Sequence, residues 1–432
     1  MELLLIGIFV LGYLAITLEH TLKIDKLIPA LGMMALLWAI IALSHLPVFE
    51  VDNELKKLVP SHIEEVLLHH LGKTAEILVF LLGAMTIVEI IDYFNGFATI
   101  KNFIKTKSKK NLLWIFAILA FILSAIIDNL TATIVLVTIL QKVISDRNTR
   151  LWFAGLIIVS ANAGGAWSPI GDVTTTMLWM GNKVSAVELS KYLLLPSIIC
   201  MIIPTFIATF LPVFKGEIEN SNDVIKINKN SSKILFIGLS MIVFVPIFKT
   251  ITHLPPYIGM MLSLGVVSLI AEFMSNKEFS LTNVENHNNS PTFKALSKIE
   301  MPSILFFLGI LMTVAALESL GLVFNLGKNI QESIPINLFV ILLGFGSAVI
   351  DNVPLVAASM GMFDLEIDNT VWHFIAYSAG TGGSMLIIGS AAGVVAMGME
   401  KISFFWYLKN IAWLAAVGYL TGACSFLLFQ SL

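Results

Sequence analysis

Charge is what this chain has least of. Lys, Arg, Asp and Glu make up 13% of its 432 residues, about half the share found in soluble globular proteins. With 57% of residues apolar and a mean hydropathy of +0.88, the chain reads as an integral membrane protein. Cysteine is nearly absent. Cys200 and Cys424 sit inside apolar segments, which excludes a disulfide framework and a thiolate metal site. No basic cluster interleaves with aromatics, so nucleic acid is not an expected partner. There is no Gly-Lys-Ser/Thr loop of the Walker type, so nucleotide hydrolysis is not the evident energy source and no cofactor is expected. The start, Met1-Glu2-Leu3, carries no basic segment ahead of its first apolar run. That run is therefore read as a membrane helix and not as a cleaved signal.

Against this apolar background one pattern occurs twice. Ser124-Ala-Ile-Ile-Asp128-Asn129 returns as Ser347-Ala-Val-Ile-Asp351-Asn352, each time between two apolar runs. A carboxylate in such surroundings costs roughly 2.5–3.5 kcal/mol on insertion scales and marks a functional site by default. Its recurrence in one context implies an internal repeat.

A span needs about 20 apolar residues, which predicts an all-α membrane protein of two repeats. The first, 1–216, has helices near 2–18, 27–45, 74–94 and 190–213. The second, 233–432, has them near 233–249, 256–274, 301–320 and 404–429. Each repeat adds an Asp-Asn segment, 111–145 or 335–362, and an interrupted helix, 151–182 or 370–400. That makes about five crossings per repeat plus the Asp-Asn segment. The arm 112–126 reaches only about 22 Å at 1.5 Å per residue, short of a hydrocarbon core about 30 Å thick. The Asp-Asn segments are therefore expected to be re-entrant hairpins; the alternative is one helix running through Asp128. In the interrupted helices, Ser160-Ala-Asn162-Ala-Gly164-Gly165-Ala-Trp-Ser168-Pro169-Ile-Gly171-Asp172 aligns with Ser378-Ala-Gly380-Thr381-Gly382-Gly383-Ser384-Met-Leu-Ile-Ile-Gly389-Ser390. Leu82-Gly83 and Leu308-Gly309 match one another upstream.

Five crossings and one hairpin per repeat make the repeats inverted. With the N-terminus outside, all but seven of the 26 basic residues fall in inside loops. Lys56, Lys57, Lys73, Lys183, Lys191, Lys249 and Lys328 stay outside. This predicts both termini outside, one hairpin entering from each face, and cytoplasmic linkers at 217–232 and 275–299.

Inverted repeats with broken helices are the architecture of secondary transporters, with binding near the midplane. Around the breaks stand carboxylates (Asp128, Asp172, Asp351), amides (Asn129, Asn162, Asn352) and hydroxyls (Ser124, Thr131, Thr174, Thr175, Ser347, Thr381, Ser384). Hard cations take oxygen ligands, and neither hairpin tip nor break holds Lys or Arg to neutralise an organic anion. Desolvation and nearby like charge favour the protonated form of a carboxylate. Such a group holds a proton or a cation, but not easily both, and that competition alone gives exchange.

At these residues the chain resembles the NhaD-type sodium/proton antiporters of the ion-transporter superfamily. The resemblance rests on both Ser-Ala-x-Ile-Asp-Asn tips, on the run from Ser160 through Asp172-Val-Thr174-Thr175-Thr176, and on Gly380-Thr-Gly-Gly-Ser-Met-Leu-Ile-Ile-Gly-Ser-Ala-Ala-Gly393. It implies exchange of sodium and lithium for protons across a cytoplasmic membrane, and no enzymatic role. It also implies ion-binding roles for Asp128, Asn129, Asn162, Asp172, Thr174, Thr175, Ser347, Asp351 and Asn352, and a scaffold and a moving transport domain, often in a homodimer.

Other residues weigh less. Asp172 follows Pro169 and Gly171 and also reads as a helix N-cap. Glu89 and Glu318 are secondary candidates for a proton path, and Asp92 reads as interfacial. His62, His69 and His70, with Glu64 and Glu65, read as a solvated outside loop. His373 opens the second interrupted helix, where it is a weak candidate pH sensor. Two rivals remain: a sodium-coupled carboxylate or oxyanion carrier, of which Asn129-Leu-Thr131 is a partial echo, and an intramembrane aspartyl protease, whose Gly-x-Gly-Asp is missing its first Gly before Asp172.

Overall fold

A computed structural model describes residues 1–17, 22–52, 57–103, 106–218, 229–276 and 290–430. The first half contains α1 (Glu2–Thr17), α2 (Leu27–Leu43) and the long α3 (Ile63–Tyr93). Hairpin 1 follows as α4 (Lys109–Ile127) and α5 (Asn129–Val143), then the broken helix as α6 (Arg147–Ala166) and α7 (Val173–Met180), then α8 (Ala186–Ala208). The second half begins with α9 (Lys229–Thr252), α10 (Pro256–Asn276), the short α11 (Pro291–Lys298), α12 (Met301–Ser319) and α13 (Leu322–Ser333). Hairpin 2 is α14 (Ile336–Val349) and α15 (Asn352–Met362). The second broken helix is α16 (Thr370–Gly382) and α17 (Ala391–Glu400), followed by α18 (Phe404–Asn410) and α19 (Ala412–Gln430).

The halves pack as counterparts. α2 lies on α12 and α10 on α3; α4 lies on α6 and α14 on α16; α8 and α19 pair with one another. The two Leu-Gly sites serve the crossed contacts. A Cβ on Gly309 would come 2.8 Å from the Ala30 backbone of α2, and one on Gly83 would meet the Met260 and Met261 side chains of α10.

Each hairpin turns because its Asp stops one helix and caps the next. Asp128, at φ +74°, accepts the Thr131 N–H through Oδ1 at 2.9 Å, and Asp351 occupies the N-cap of α15. Carboxylates are favoured there because they satisfy N–H groups that lack a partner in the first turn. The arms of 15, 14 and 11 residues span only about 22, 21 and 16 Å. The first arm departs from expectation: α4 has 19 residues, about 28 Å. It is longer because the helix continues outward through the polar Lys109 and Lys110, which do not need the hydrocarbon.

The hairpins open at opposite ends of α3. One cavity gathers Asp92 and Asn95 at the C-terminal end of α3 with Lys142 at the open end of hairpin 1. Another gathers Glu65 and His69 near the N-terminus of α3 with Met360 and Asp364 at the open end of hairpin 2.

The breaks in α6–α7 and α16–α17 rest on the hairpin tips. A Cβ on Gly164 would overlap the Phe121 backbone of hairpin 1, and one on Gly382 the Gly344 backbone of hairpin 2. The Ser124 Oγ donates to the Ala161 carbonyl at 2.6 Å, and the Ser347 Oγ to the Ala379 carbonyl at 2.6 Å. At the far end, Arg150 grips the buried Glu400, its Nε 3.1 Å from both carboxylate oxygens, and so ties the start of α6 to the end of α17.

Several expectations are corrected. An antiparallel ribbon of β1 (Val48–Asp52) and β2 (Lys57–Ser61) interrupts the all-α fold, where Val48-Phe49-Glu50-Val51 favours extended backbone. α3 starts at Ile63, well ahead of 74, because Glu64 and Glu65 suit a helix N-terminus. Glu64, Glu65, His69 and His70 thus lie on a helix and not in a loop. The segment 404–429 is two helices, and part of the 275–299 linker is helical as α11. Most of the 217–232 linker, with Lys226, lies outside the described residues, as do Lys56, Lys105 and Lys277.

Candidate ion-binding site

The two hairpin tips and the first break meet at one carboxylate. Asp172, 2% exposed, sits at the N-cap of α7. Its Oδ2 accepts from the Asn129 Nδ2 at 3.3 Å and from the Asn352 Nδ2 at 3.1 Å. The two amides are repeat mates from opposing hairpins. Asn129 also donates to the Asn162 Oδ1 at 3.1 Å, and the Asn162 Nδ2 donates to the Ser390 Oγ at 3.0 Å. One buried network thus joins both tips and both breaks. Among the described residues Asp172 makes no ion pair. Thr174, two residues on, is wholly buried, and among the described residues its Oγ1 has no hydrogen-bond partner of good geometry. Gly380 keeps space open: a Cβ there would stand 3.5 Å from the Asp172 Oδ2.

The other two aspartates flank this centre. Asp128 turns to Thr131, whose backbone N and Oγ1 each donate at 2.9 Å. Asp351 turns to Lys26 at the head of α2, with Nζ to Oδ2 at 3.1 Å. The tip is therefore not free of basic side chains, because a lysine reaches it from another element. Asp128 and Asp172 share the lining of a void of about 20 Å³ with Ile170 and Met260.

The remaining candidate hydroxyls are committed to backbone. Thr175 Oγ1 donates to the Asp172 carbonyl at 2.9 Å, Thr381 Oγ1 to Tyr377, and Ser384 Oγ to Thr381. Ser124 and Ser347 fasten the hairpins to the broken helices, as described above. Glu89 and Glu318 stand apart, in cavities at opposite ends of the molecule. Glu89 lines a cavity of about 320 Å³ with Thr131, Lys142 and Glu300. Glu318 lines one of about 400 Å³ with Lys73, Lys183 and Asp364. The first cavity reaches Thr131, one hydrogen bond from Asp128. The second reaches Met177, five residues and so about 7.5 Å along α7 from Asp172. His373 is fully buried against the Tyr192 ring, 4.8 Å between centroids, away from this network.

The family model described as "Citrate transporter", CitMHS, matches residues 13–372. The Arabidopsis thaliana protein named sodium/proton antiporter 1 is 40% identical, covering 98% of this chain and 72% of the relative. The Na(+)/H(+) antiporter NhaD of Alkalimonas amylolytica is 31% identical, over 94% of this chain and 86% of the relative. The chain belongs to the family of NhaD-type sodium/proton antiporters. A solved structure, the YdaH transporter of Alcanivorax borkumensis, matches with a TM-score of 0.56 at 12% identity over 94% of this chain and 96% of its own, a likeness of fold alone. The NhaD-type family is one of multi-pass membrane transporters, not of enzymes, so the protease rival falls.

Ser390 and Lys26 were missed as partners of the site. Ser390 was legible in outline, since it occupies the repeat position of Asp172. Lys26 is 325 residues from Asp351 and gives no local signal.

Proposed function

We propose that this chain exchanges sodium or lithium for protons, with cation and proton competing at Asp172 and with Asp128 and Asp351 flanking it. The observation that carries this reading is the meeting of Asn129 and Asn352, from opposed hairpins, on one buried carboxylate that has no basic partner among the described residues. Each amide donates its Nδ2 here; a half-turn of either side chain presents Oδ1 instead. Asp172, two or three amide oxygens and the Thr174 hydroxyl would then form the oxygen shell a hard monovalent cation takes. A proton on Asp172 removes the charge that holds the cation, so the two occupants exclude one another. The names of relatives at 31–40% identity support the same exchange.

In this reading the hairpins and broken helices carry the site between the two cavities. The Lys142 face is cytoplasmic by the excess of basic residues there, and both termini lie outside an inner membrane. A homodimer belongs to the same reading through family resemblance. The "Citrate transporter" description of the family model keeps carboxylate transport as the second reading. Against it stands the Asp172 centre, which offers an anion no basic side chain.

The test is gradient collapse. Proteoliposomes with an acid interior and a pH-sensitive dye receive sodium, lithium, potassium or citrate in turn. Collapse by sodium and lithium, with no uptake of labelled citrate, supports exchange. Citrate uptake without a cation-driven proton flux overturns it.

A further inference from the structure

The two hairpin tips are alike in sequence but not in electrostatic surroundings. By the repeat, the head of α10 should do for Asp128 what the head of α2 does for Asp351. It does not. The residue before α2 is Lys26 and the residue before α10 is Pro255. At the first tip, α9 and α10 supply the apolar Ile242 and Met260, and Asp128 relies on Thr131 within its own hairpin. At the second, α2 sends in a full positive charge.

That charge is well held. The Lys26 Nζ is 3.1 Å from the Asp351 Oδ2, with side chains only 23% and 14% exposed. It also lies 4.5 Å from the centroid of the buried Phe306 ring on α12. An ammonium over an aromatic face gains a further electrostatic attraction. Asp351 also accepts a long bond of 3.5 Å from the Val353 N–H. Tyr13 of α1 lies within electrostatic reach of the same carboxylate. The pair links two elements that also share a neighbour: α2 packs on α1 and α12, and hairpin 2 packs on α16, α13, α12 and α7.

We propose that the Lys26 ammonium is an internal competitor for the transported cation at Asp351: it occupies that carboxylate in the ion-free state and has to leave before sodium is held there. This rests on the sodium/proton reading. Its physical content is a charge exchange. A carboxylate this enclosed needs a counter-charge, and ammonium and sodium each supply one. Lysine suits the role because it is a compact ammonium on a flexible four-carbon stem. Its place at the head of α2 and its partial exposure leave its stem room to swing away from the carboxylate. Release also breaks the ionic tie between α2 and hairpin 2, so cation arrival and loss of that tie become one event.

The test uses full-length protein in proteoliposomes, with sodium half-saturation read from gradient collapse at fixed pH. Lys26→Met removes the competitor and is expected to lower half-saturation by about three- to tenfold, the range set by a partly buried ion pair. In an Asp351→Asn background the same change should shift nothing further. Lys26→Arg keeps a charge that holds a carboxylate more firmly, and half-saturation should rise. A lysine that merely braced the fold would not move the constant in opposite directions for Met and Arg. Unchanged or raised half-saturation in Lys26→Met overturns the proposal, as does an equal shift with Asn at 351. Should Lys26→Met fail to fold, Lys26→Arg decides, with an unchanged or lowered value counting against it. Wild-type vesicles that ignore sodium refute the exchange reading itself; responsive vesicles with an indifferent Lys26 refute only this one.

Discussion

Replacing Asp172 by Asn separates charge from shape at the centre of the molecule. The carboxylate accepts from Asn129, from Asn352 and, at 3.4 Å, from the Thr174 N–H. The amide oxygen of the replacement side chain can stand where Oδ2 stood and accept from both asparagines, while its Nδ2 faces the Thr174 N–H and cannot accept. The charge-assisted part of two bonds and the long third bond are therefore lost, about 1 kcal/mol apiece. Removing a charge from the membrane interior returns about 2.5–3.5 kcal/mol. The terms nearly cancel, and the melting temperature of Asp172→Asn in detergent should stay within about 4 °C of wild type. Cation binding has no such compensation. A unit charge 4 Å from a cation is worth about 4 kcal/mol at an effective dielectric constant near 20. That is a loss of about three powers of ten in affinity. Sodium-driven collapse of an acid-inside gradient should therefore vanish at millimolar sodium while the protein remains folded and inserted. Exchange within tenfold of wild type would refute the assignment of Asp172 as the carrier. Loss of exchange together with unfolding would refute the claim that its role is charge and not architecture.

Three further outcomes follow from other parts of the fold. Arg150→Ala leaves Glu400, whose side chain is 1% exposed, without its partner, and should cost about 3–5 kcal/mol in thermal unfolding; adding Glu400→Gln should recover most of it. Gly382→Ala drives a methyl into the Gly344 carbonyl, so hairpin 2 must part from α16 at a cost of about 1–3 kcal/mol, with exchange reduced alongside the melting temperature. Asp146 caps α6 by accepting from the Thr149 hydroxyl and backbone N–H, which together hold its carboxyl below the usual carboxylate range. Its contribution is thus present above that range and lost as pH falls through the lowered value, so the deficit of Asp146→Ala, about 1 kcal/mol at pH 7, should shrink below about pH 4.

What could be read from the sequence was whatever the repeat wrote twice. The Ser-Ala-x-Ile-Asp-Asn tips, the Gly-Gly breaks and the Leu-Gly helix contacts each appear in both halves, and each was located to within a few residues. Among the described residues, the ribbon of Val48–Asp52 and Lys57–Ser61 and the extension of α3 to Ile63 have no counterpart in the second half, so the repeat gave no warning of them. Within the site, residue type was legible and direction was not. Asn129, Asn352 and Asp172 converge, whereas Asp128 and Asp351 turn to Thr131 and Lys26, although all three aspartates cap helices. The cap is legible locally, and no local pattern encodes the partner beyond it.

The departures from symmetry then explain why an inverted repeat ends with one central carboxylate and not two. Exact copies would put an Asp at both break positions, on one buried network of amides, with two buried charges repelling one another. Here the second break carries Ser390 where the first carries Asp172, and Gly380 where the first carries Asn162. Ser390 accepts from Asn162, and the missing side chain at Gly380 clears the space beside the Asp172 Oδ2. The hairpins contribute symmetrically, one amide each; the breaks contribute asymmetrically, charge from one and room from the other. In the proposed exchange, a site made this way offers its one central charge to either a proton or a cation. Restoring a second charge with Ser390→Asp should therefore hurt exchange more than Ser390→Ala, which removes the bond from Asn162 and the N-cap bond from the Gly393 N–H. If the aspartate were the milder of the two, charge economy at the axis would not be what broke the symmetry.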